Sequence, residues 1–381
     1  MTVLSFTFAT AGRIVFGAGR VSELPGIVAG LGERPFVCTG SRPGRHAAVL
    51  EALPGSASFA VAGEPTMEVV RAGAEAARAH GADVVVGLGG GAVLDAAKVI
   101  AALVTNGGDP LDYAEVIGRG RQLTARSLPV VAVPTTSGTG SEVTANGVVT
   151  STEHKVKVSL RSTSMLPVVA LVDPELTLGV PPSVTAHAGL DALVQCIEPF
   201  VSQFATPVTD GFCREGIRRA AGGLRRAYAD GSDLAARTDM SVCSLFGGLA
   251  LANAKLGAAH GLAGPLGGTL GAPHGAITAS VMVEVSRANL AALRATDPSN
   301  PALDRYAEVG ELLTGTRDAE AYLEWFAETT SLLGVSGLAA LGLRDDQVDA
   351  IALAASEASS TKGNPVRLPV GTFADILRAS L

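Results

Sequence analysis

The 381-residue chain is poor in aromatic side chains, which make up 4% of it, and it holds a single tryptophan. Its four cysteines, Cys38, Cys196, Cys213 and Cys243, lie far apart and form no Cys-x-x-Cys pair. That usage argues against a disulfide framework and for reduced, mostly buried thiols in a cytosolic protein. Charged residues are only 17% of the chain, the net charge is -7, and acidic and basic residues are interspersed. No lysine or arginine block follows a helix face, so a nucleic-acid partner is not expected. Uninterrupted apolar runs are also short. The most apolar stretch, residues 244–272, is broken by Lys255, His260 and Pro265, so no membrane span is expected. The opening Met-Thr-Val-Leu-Ser-Phe-Thr-Phe lacks a basic segment and alternates apolar with polar residues. This is the pattern of a strand and not of a signal peptide. A cytoplasmic globular protein without a membrane partner remains.

What the chain does contain is 47% hydrophobic residues, much of that Ala, Val and Leu, together with 46 glycines. Its length suits two domains. Short β-branched runs at 35–39, 58–62, 83–88, 129–133 and 168–172 alternate with helical patterns at 22–31, 44–53, 67–80 and 92–104. Near-continuous apolar strands separated by helices predict a parallel sheet covered on both faces. After the Val-Pro-Pro at 180–182 the strand signals vanish. Helical patterns follow at 185–202, 206–229, 233–257, 275–295, 302–314, 319–334, 345–360 and 371–380. The expectation is an α/β domain over residues 1–182 and a helical domain over 183–381. Open parallel sheets bind ligands at the carboxyl ends of their strands, and a cleft between the two halves is the expected active site.

Two loops stand at such strand ends. Gly87-Leu-Gly-Gly-Gly-Ala-Val-Leu-Asp-Ala-Ala-Lys98 runs from a buried strand directly into a helix. Glycines admit a phosphate close to the backbone, and the free N–H groups of a helix start favour an anion. The stretch also fits G-x-G-x-x-A, but two βα units precede it and no strand with an acidic residue follows at the Rossmann spacing. The phosphate-loop reading therefore stands and the standard Rossmann reading does not. A plain packing turn is the bland alternative. The second loop, Pro134-Thr-Thr-Ser-Gly-Thr-Gly-Ser-Glu-Val-Thr144, is rich in hydroxyls that suit phosphate, ribose or carboxamide. An ST-turn with Ser141 as a helix cap is the alternative there.

In the second half, Asp191 and Gln195 are four apart in a helical segment and so share a face. Downstream, His260 and His274 bracket a Gly/Pro-punctuated stretch. Pro265 should end one helix, and the Gly/Pro signals at 271–273 should open another. One aspartate and two histidines form a set suited to a divalent first-row metal. Taken alone, a capping Asp and core histidines explain these residues as well.

Together the motifs GGGAVLDAAK, PTTSGTGSEVT, VDPELTLGVPP, GLDALVQCIEPFVS, LGAAHGLAGPLGG and APHGA resemble, in order and spacing, the iron-containing (group III) alcohol dehydrogenases, a superfamily that includes maleylacetate reductases. The resemblance covers essentially the whole chain. It implies a dinucleotide-binding α/β domain followed by an all-helical domain, an architecture shared with dehydroquinate synthase. It also implies hydride transfer between NAD or NADP and an alcohol, aldehyde or ketone. The metal, Fe²⁺ or Zn²⁺, would be held by Asp191, Gln195, His260 and His274, with His260 and His274 also catalytic. Gln195 stands where the family has a histidine, and Gly264 stands where metal-using members often have another that relays a proton. The alternative is a metal-free, maleylacetate reductase-like oxoacid reductase in which the two histidines act as donors. The implied cofactor-binding set is Gly40, Ser41, Arg42, Gly89, Gly90, Gly91, Asp95, Thr135, Thr136, Ser137, Thr139, Ser141 and Lys157. NAD-selective members tend to carry an acidic residue at the position of Gly40, and its absence beside Arg42 leaves NADP open. The resemblance further implies a homodimer acting on a small-molecule substrate.

Overall fold

A computed structural model describes residues 5–154 and 156–381. The chain divides into two compact units. The α/β unit comprises Thr10–Thr136 and Gly140–Thr177, and the helical unit holds Ser137–Thr139, Leu178–Leu381 and the described residues up to Ala9. The helical unit therefore takes over at Leu178, ahead of position 182.

Among the described residues, the α/β unit is built on eight strands: β1 (Arg13–Phe16), β2 (Pro35–Gly40), β3 (Ala57–Val61), β4 (Val84–Gly89), β5 (Val130–Pro134), β6 (Asn146–Ser151), β7 (Val156–Arg161) and β8 (Val169–Val172). Six of them form one parallel sheet in the order β1-β8-β5-β4-β2-β3. Val84, Val86 and Leu88 of β4 bury into one apolar layer and Val85 into the other, so both faces of the sheet are covered. The covering helices are α1 (Leu24–Ala29), α2 (Ala47–Glu51), α3 (Met67–His80), α4 (Gly91–Asn106) and the single turn α5 (Pro110–Tyr113). Thr66 caps α3 by accepting from Val69 N at 3.3 Å, and Gly81 ends it in the left-handed conformation.

Three expectations change here. Met1–Leu4 lie outside the described residues, and Ser5–Phe8 are not a strand. The edge strand is instead β1, which pairs in parallel with β8. Phe8 stacks on Phe212 of the helical unit with ring centroids 5.8 Å apart. The helical patterns at 22–31 and 44–53 open as 3-10 turns over Arg20–Glu23 and Pro43–His46, leaving short α-helices. The antiparallel hairpin β6–β7 was not expected, although β6 alternates buried and half-buried residues at the strand period.

The helical unit carries α6 (Pro182–Val201), α7 (Pro207–Ala229), α8 (Leu234–Ala254), α9 (Ala258–Leu270), α10 (His274–Thr296), α11 (Pro301–Thr314), α12 (Ala319–Leu332), α13 (Asp345–Glu357) and α14 (Val370–Ala379). Proline occupies the first turn of α6, α7 and α11, where its missing N–H costs nothing. Pro265 does not end a helix: α9 runs through it to Leu270. One lost backbone hydrogen bond is outweighed by the burial of Leu262, Ala263 and Leu266 in the helical core. Helix α10 is long and apolar enough to cross a bilayer by length and composition, but 61% of its apolar window is buried inside the protein. Cys38, Cys196, Cys213 and Cys243 are all buried and free.

Candidate functional site

The strand order defines the first ligand region. From β2 the chain moves outward to β3, whereas from β4 it moves the opposite way to β5. The carboxyl ends of β2 and β4 therefore flank the point where the winding reverses, which is where open α/β sheets hold ligands. Gly40-Ser41-Arg42 leave β2 there, and Gly89-Gly90-Gly91 leave β4. Gly90 is the N-cap of α4 with no side-chain cap, so the helix's first amides are not consumed by its own cap residue. The glycines also serve packing. A Cβ on Gly89 would lie 2.6 Å from Val93 Cγ2, and one on Gly90 would lie 3.2 Å from Thr136 Oγ1. Thr135 and Thr136 follow the adjacent strand β5, and Thr135 N donates to Gly89 O at 3.0 Å.

The remaining residues of the expected cofactor set are dispersed. Ser137 and Thr139 group with the helical unit, where Ser137 Oγ lies 3.1 Å from Ser241 Oγ. Lys157, on β7, pairs with Glu64 at 3.3 Å. Asp95 and Ser141 belong to a buried network around Lys98. Ser141 Oγ donates to Asp95 Oδ1, and Val148 N donates to Asp95 Oδ2 at 3.0 Å. The Lys98 ammonium, fully buried, lies 3.2 Å from Asp95 Oδ1 and donates to Ser141 O at 2.9 Å and Thr144 Oγ1 at 3.0 Å. Burial lowers the proton affinity of Lys98, against the opposing pull of Asp95. Beside it, burial lifts Glu142 to about 7. Sequence reasoning named neither Lys98 nor Glu142 as a site residue, because nothing local marks a charged residue as buried.

The second region lies wholly within the helical unit. Asp191 on α6, His260 on α9 and His274 at the first position of α10 bring one ligand atom each to within 4.8 Å of one another. His260 Nε2 is 3.6 Å and His274 Nε2 is 3.9 Å from Asp191 Oδ1. Helix α10 can approach α6 this closely because position 275 is glycine. A Cβ there would sit 2.1 Å from His187 O. Both oxygens of Asp191 are held: Thr278 Oγ1 donates to Oδ1 at 2.8 Å, and Gln195 Nε2 donates to Oδ2 at 2.6 Å. His260 Nδ1 lies 2.6 Å from Glu198 Oε2. Burial pulls the proton affinity of His260 down and the Glu198 carboxylate more than restores it, for a net rise.

Two buried polar atoms at this cluster, His260 Nε2 and Gln195 Oε1, have no hydrogen-bond partner among the described residues. Orphaned buried polar atoms are rare and call for an explanation. Here both are lone-pair donors beside a carboxylate, which is the environment of a cation. The donor set of one carboxylate, one amide oxygen and two imidazoles therefore fits a divalent metal. His274 is the most open of the three ligating side chains at 36% exposure, against 5% for His260 and 3% for Asp191. Gly264 lies one turn beyond His260 on α9, and a Cβ there would meet nothing within 4 Å. Glu198 and Thr278 were not anticipated, although their spacing carried a signal. Asp191, Gln195 and Glu198 share a helical face, as do His274 and Thr278. Phe200 is fully buried core, while Phe212 packs edge-on against Phe246 at 5.1 Å.

Comparison with known proteins accounts for this arrangement. Residues 11–174 match the family model for iron-containing alcohol dehydrogenase, and residues 185–381 match that for the C-terminal part of the Fe-containing alcohol dehydrogenase family. The 4-hydroxybutyrate dehydrogenase of Cupriavidus necator is 36% identical over 83% of this chain and 82% of its own length. Among solved structures, a 1,3-propanediol oxidoreductase superimposes with a TM-score of 0.90 at 32% identity, covering 99% of this chain and 100% of that one. The sulfoacetaldehyde reductase of Bifidobacterium kashiwanohense, solved in complex with NAD+, gives a TM-score of 0.88 at 27% identity over 99% of both chains. With matches across both units, a parallel sheet in one and an Asp/His cluster in the other, the chain belongs to the iron-containing alcohol dehydrogenase family and is an oxidoreductase acting on CH–OH groups.

Proposed function

We propose that the protein is a metal-dependent, NAD(P)-linked alcohol dehydrogenase working in the direction of aldehyde or ketone reduction or its reverse. The metal would be held by Asp191, Gln195, His260 and His274. The observation that carries this reading is the pair of orphaned buried lone pairs, on His260 Nε2 and Gln195 Oε1, flanking the Asp191 carboxylate. When bound, the metal supplies Lewis-acid polarisation of the carbonyl and the reduced nicotinamide supplies hydride.

The chain's own residues prepare for that chemistry. Thr278 and Gln195 hold Asp191 rigidly through one hydrogen bond to each oxygen. Glycine at 264 has no proton to give, so the product oxygen takes its proton from water, which has access on the side of the half-exposed His274. For the nucleotide, the ends of β2 and β4 at the winding reversal support a phosphate seat over Gly89–Gly91 and a ribose position near Gly40–Arg42. Position 40 carries no carboxylate to repel a 2′-phosphate, so both NAD and NADP are proposed as cofactors. Relatives named for 4-hydroxybutyrate and 1,3-propanediol make short primary alcohols with a second polar end the substrates to try first.

The test is metal analysis of the purified protein, with NAD(P)H oxidation followed on the corresponding aldehydes and on maleylacetate before and after chelation. Near-stoichiometric metal and chelator-sensitive aldehyde reduction are expected, and alanine at His260 or His274 should abolish both. Chelator-resistant reduction of maleylacetate with metal-free protein would replace this reading with the metal-free one, and full activity in both alanine variants would overturn both.

A further inference from the structure

We propose that Glu198 is a positioning residue: it sets which ring nitrogen of His260 carries the proton, and so makes His260 a ligand. The inference rests on the metal site proposed above. Helix α9 starts at Ala258 behind Gly257, a cap without a side chain. Its first amides donate instead to groups from elsewhere in the helical unit. Ala258 N reaches Asn364 Oδ1 at 3.1 Å, and Ala259 N reaches Glu198 Oε1 at 2.8 Å. His260 comes next, and its Nδ1 meets the other oxygen of the same carboxylate at 2.6 Å. One buried carboxylate thus seats the helix start with one oxygen and the imidazole with the other.

The consequence follows from hydrogen-bond chemistry. A carboxylate only accepts, so Nδ1 must carry the hydrogen, and in the neutral imidazole Nε2 is left with its lone pair. That lone pair is the atom 3.6 Å from Asp191 Oδ1, and it has no other partner. The arrangement has little slack. A Cβ on Gly257 would lie 2.8 Å from Glu198 Oε1 and 3.0 Å from Asn364 Oδ1. Asn364 is itself held by Asn289, whose Oδ1 accepts from Asn364 Nδ2 at 2.7 Å. Glu198 lies seven residues after Asp191 on α6, on the same face, so one helix supplies both the ligand and the group that orients its neighbour.

Glu198→Gln separates this role from a plain helix cap. The Ala259 amide can only donate, so the glutamine must turn its oxygen to Ala259 and its NH2 to His260. Nδ1 then has to accept, the proton moves to Nε2, and the ligand lone pair is lost while the cap survives. We expect nitrogen-15 shifts of metal-free protein, taken at alkaline pH, to show the Nδ1–H tautomer in the wild type and Nε2–H in E198Q. We also expect Zn²⁺ affinity to fall about 10–100-fold in E198Q, with the unfolding midpoint little changed. An Nδ1–H tautomer in E198Q, or Zn²⁺ bound as tightly as by the wild type, overturns the proposal. A wild type that binds no Zn²⁺ would sink the metal reading alone, and the tautomers would still decide the role of Glu198. Should E198Q fail to fold, the wild-type tautomer decides: Nδ1–H supports the proposal, and Nε2–H overturns it.

Discussion

Replacing Glu142 by glutamine should stabilise the α/β unit at alkaline pH and leave it nearly unchanged at acid pH. Glu142 sits in the 3-10 turn Ser141–Val143 behind the left-handed Gly140 and is only 2% exposed. Burial lifts its carboxyl from an ordinary 4.5 to about 7, with its own backbone N–H and Lys98 opposing the rise. The folded-state pKa lies above the unfolded one, so the fold prefers the neutral acid. Its contribution to stability is complete below the unfolded value and is lost as pH rises through the folded value. At about 1.4 kcal/mol for each pKa unit, ionised Glu142 costs the fold about 3 kcal/mol by pH ~8. Glutamine has nearly the same shape and never ionises. The difference between variant and parent should therefore be close to zero near pH ~4 and widen to about 3 kcal/mol by pH ~8, mostly across the window between the two pKa values. Hydrogen exchange of the peptide carrying β5, measured in both proteins across that range, isolates this unit from the helical one. A difference that does not change with pH would mean that folding leaves the Glu142 carboxyl unshifted, and one that grows towards acid would mean that Glu142 is ionised and paired in the fold; either would sink the argument.

Two further substitutions probe the groups that hold each region together. Lys98→Met removes the buried ammonium from Asp95, Ser141 and Thr144. Breaking a buried pair costs about 3–5 kcal/mol, and Asp95 keeps its bonds from Ser141 and Val148, so a loss near 3 kcal/mol is expected in exchange of β4 and α4. A loss below about 1 kcal/mol would show that Lys98 contributes little beyond its bulk. Gly275→Ala would force α10 away from the His187 carbonyl, which its Cβ would otherwise approach to 2.1 Å. We expect about 1–3 kcal/mol of destabilisation from overpacking together with loss of metal, because His274 and Thr278 travel with α10 while Asp191 stays on α6. Wild-type metal content in a destabilised Gly275→Ala would show that the site tolerates the separation.

Much of the fold was legible in the chain. The β-branched runs at 35–39, 83–88 and 129–133 lie within one residue of β2, β4 and β5 at either end, and the pattern at 67–80 coincides with α3. These signals are local: apolar period, a capping threonine, proline at a first turn, glycine at a last one. The failures lie where tertiary packing overrides a local rule. Pro265 reads as a stop, yet the apolar residues around it keep α9 intact inside the helical core. Of the N-terminal alternation that reads as a strand, the described residues 5–8 form none: Phe8 packs on Phe212 and the sheet edge goes to Arg13–Phe16.

The site divides the same way. The sequence by itself determined the donor types: Asp191 and Gln195 one helical turn apart, two histidines bracketing a Gly/Pro-punctuated stretch, and glycines at two strand ends. Helical period and turn chemistry require nothing from the rest of the molecule. Only the tertiary structure decided that α6, α9 and α10 converge, that Glu198 reaches His260 Nδ1, and that His260 Nε2 and Gln195 Oε1 are left without partners. Likewise only the packing committed Asp95 and Ser141 to Lys98. Burial and the satisfaction of polar atoms depend on which distant segments meet, and residue order along one segment does not encode that meeting in any readable local pattern.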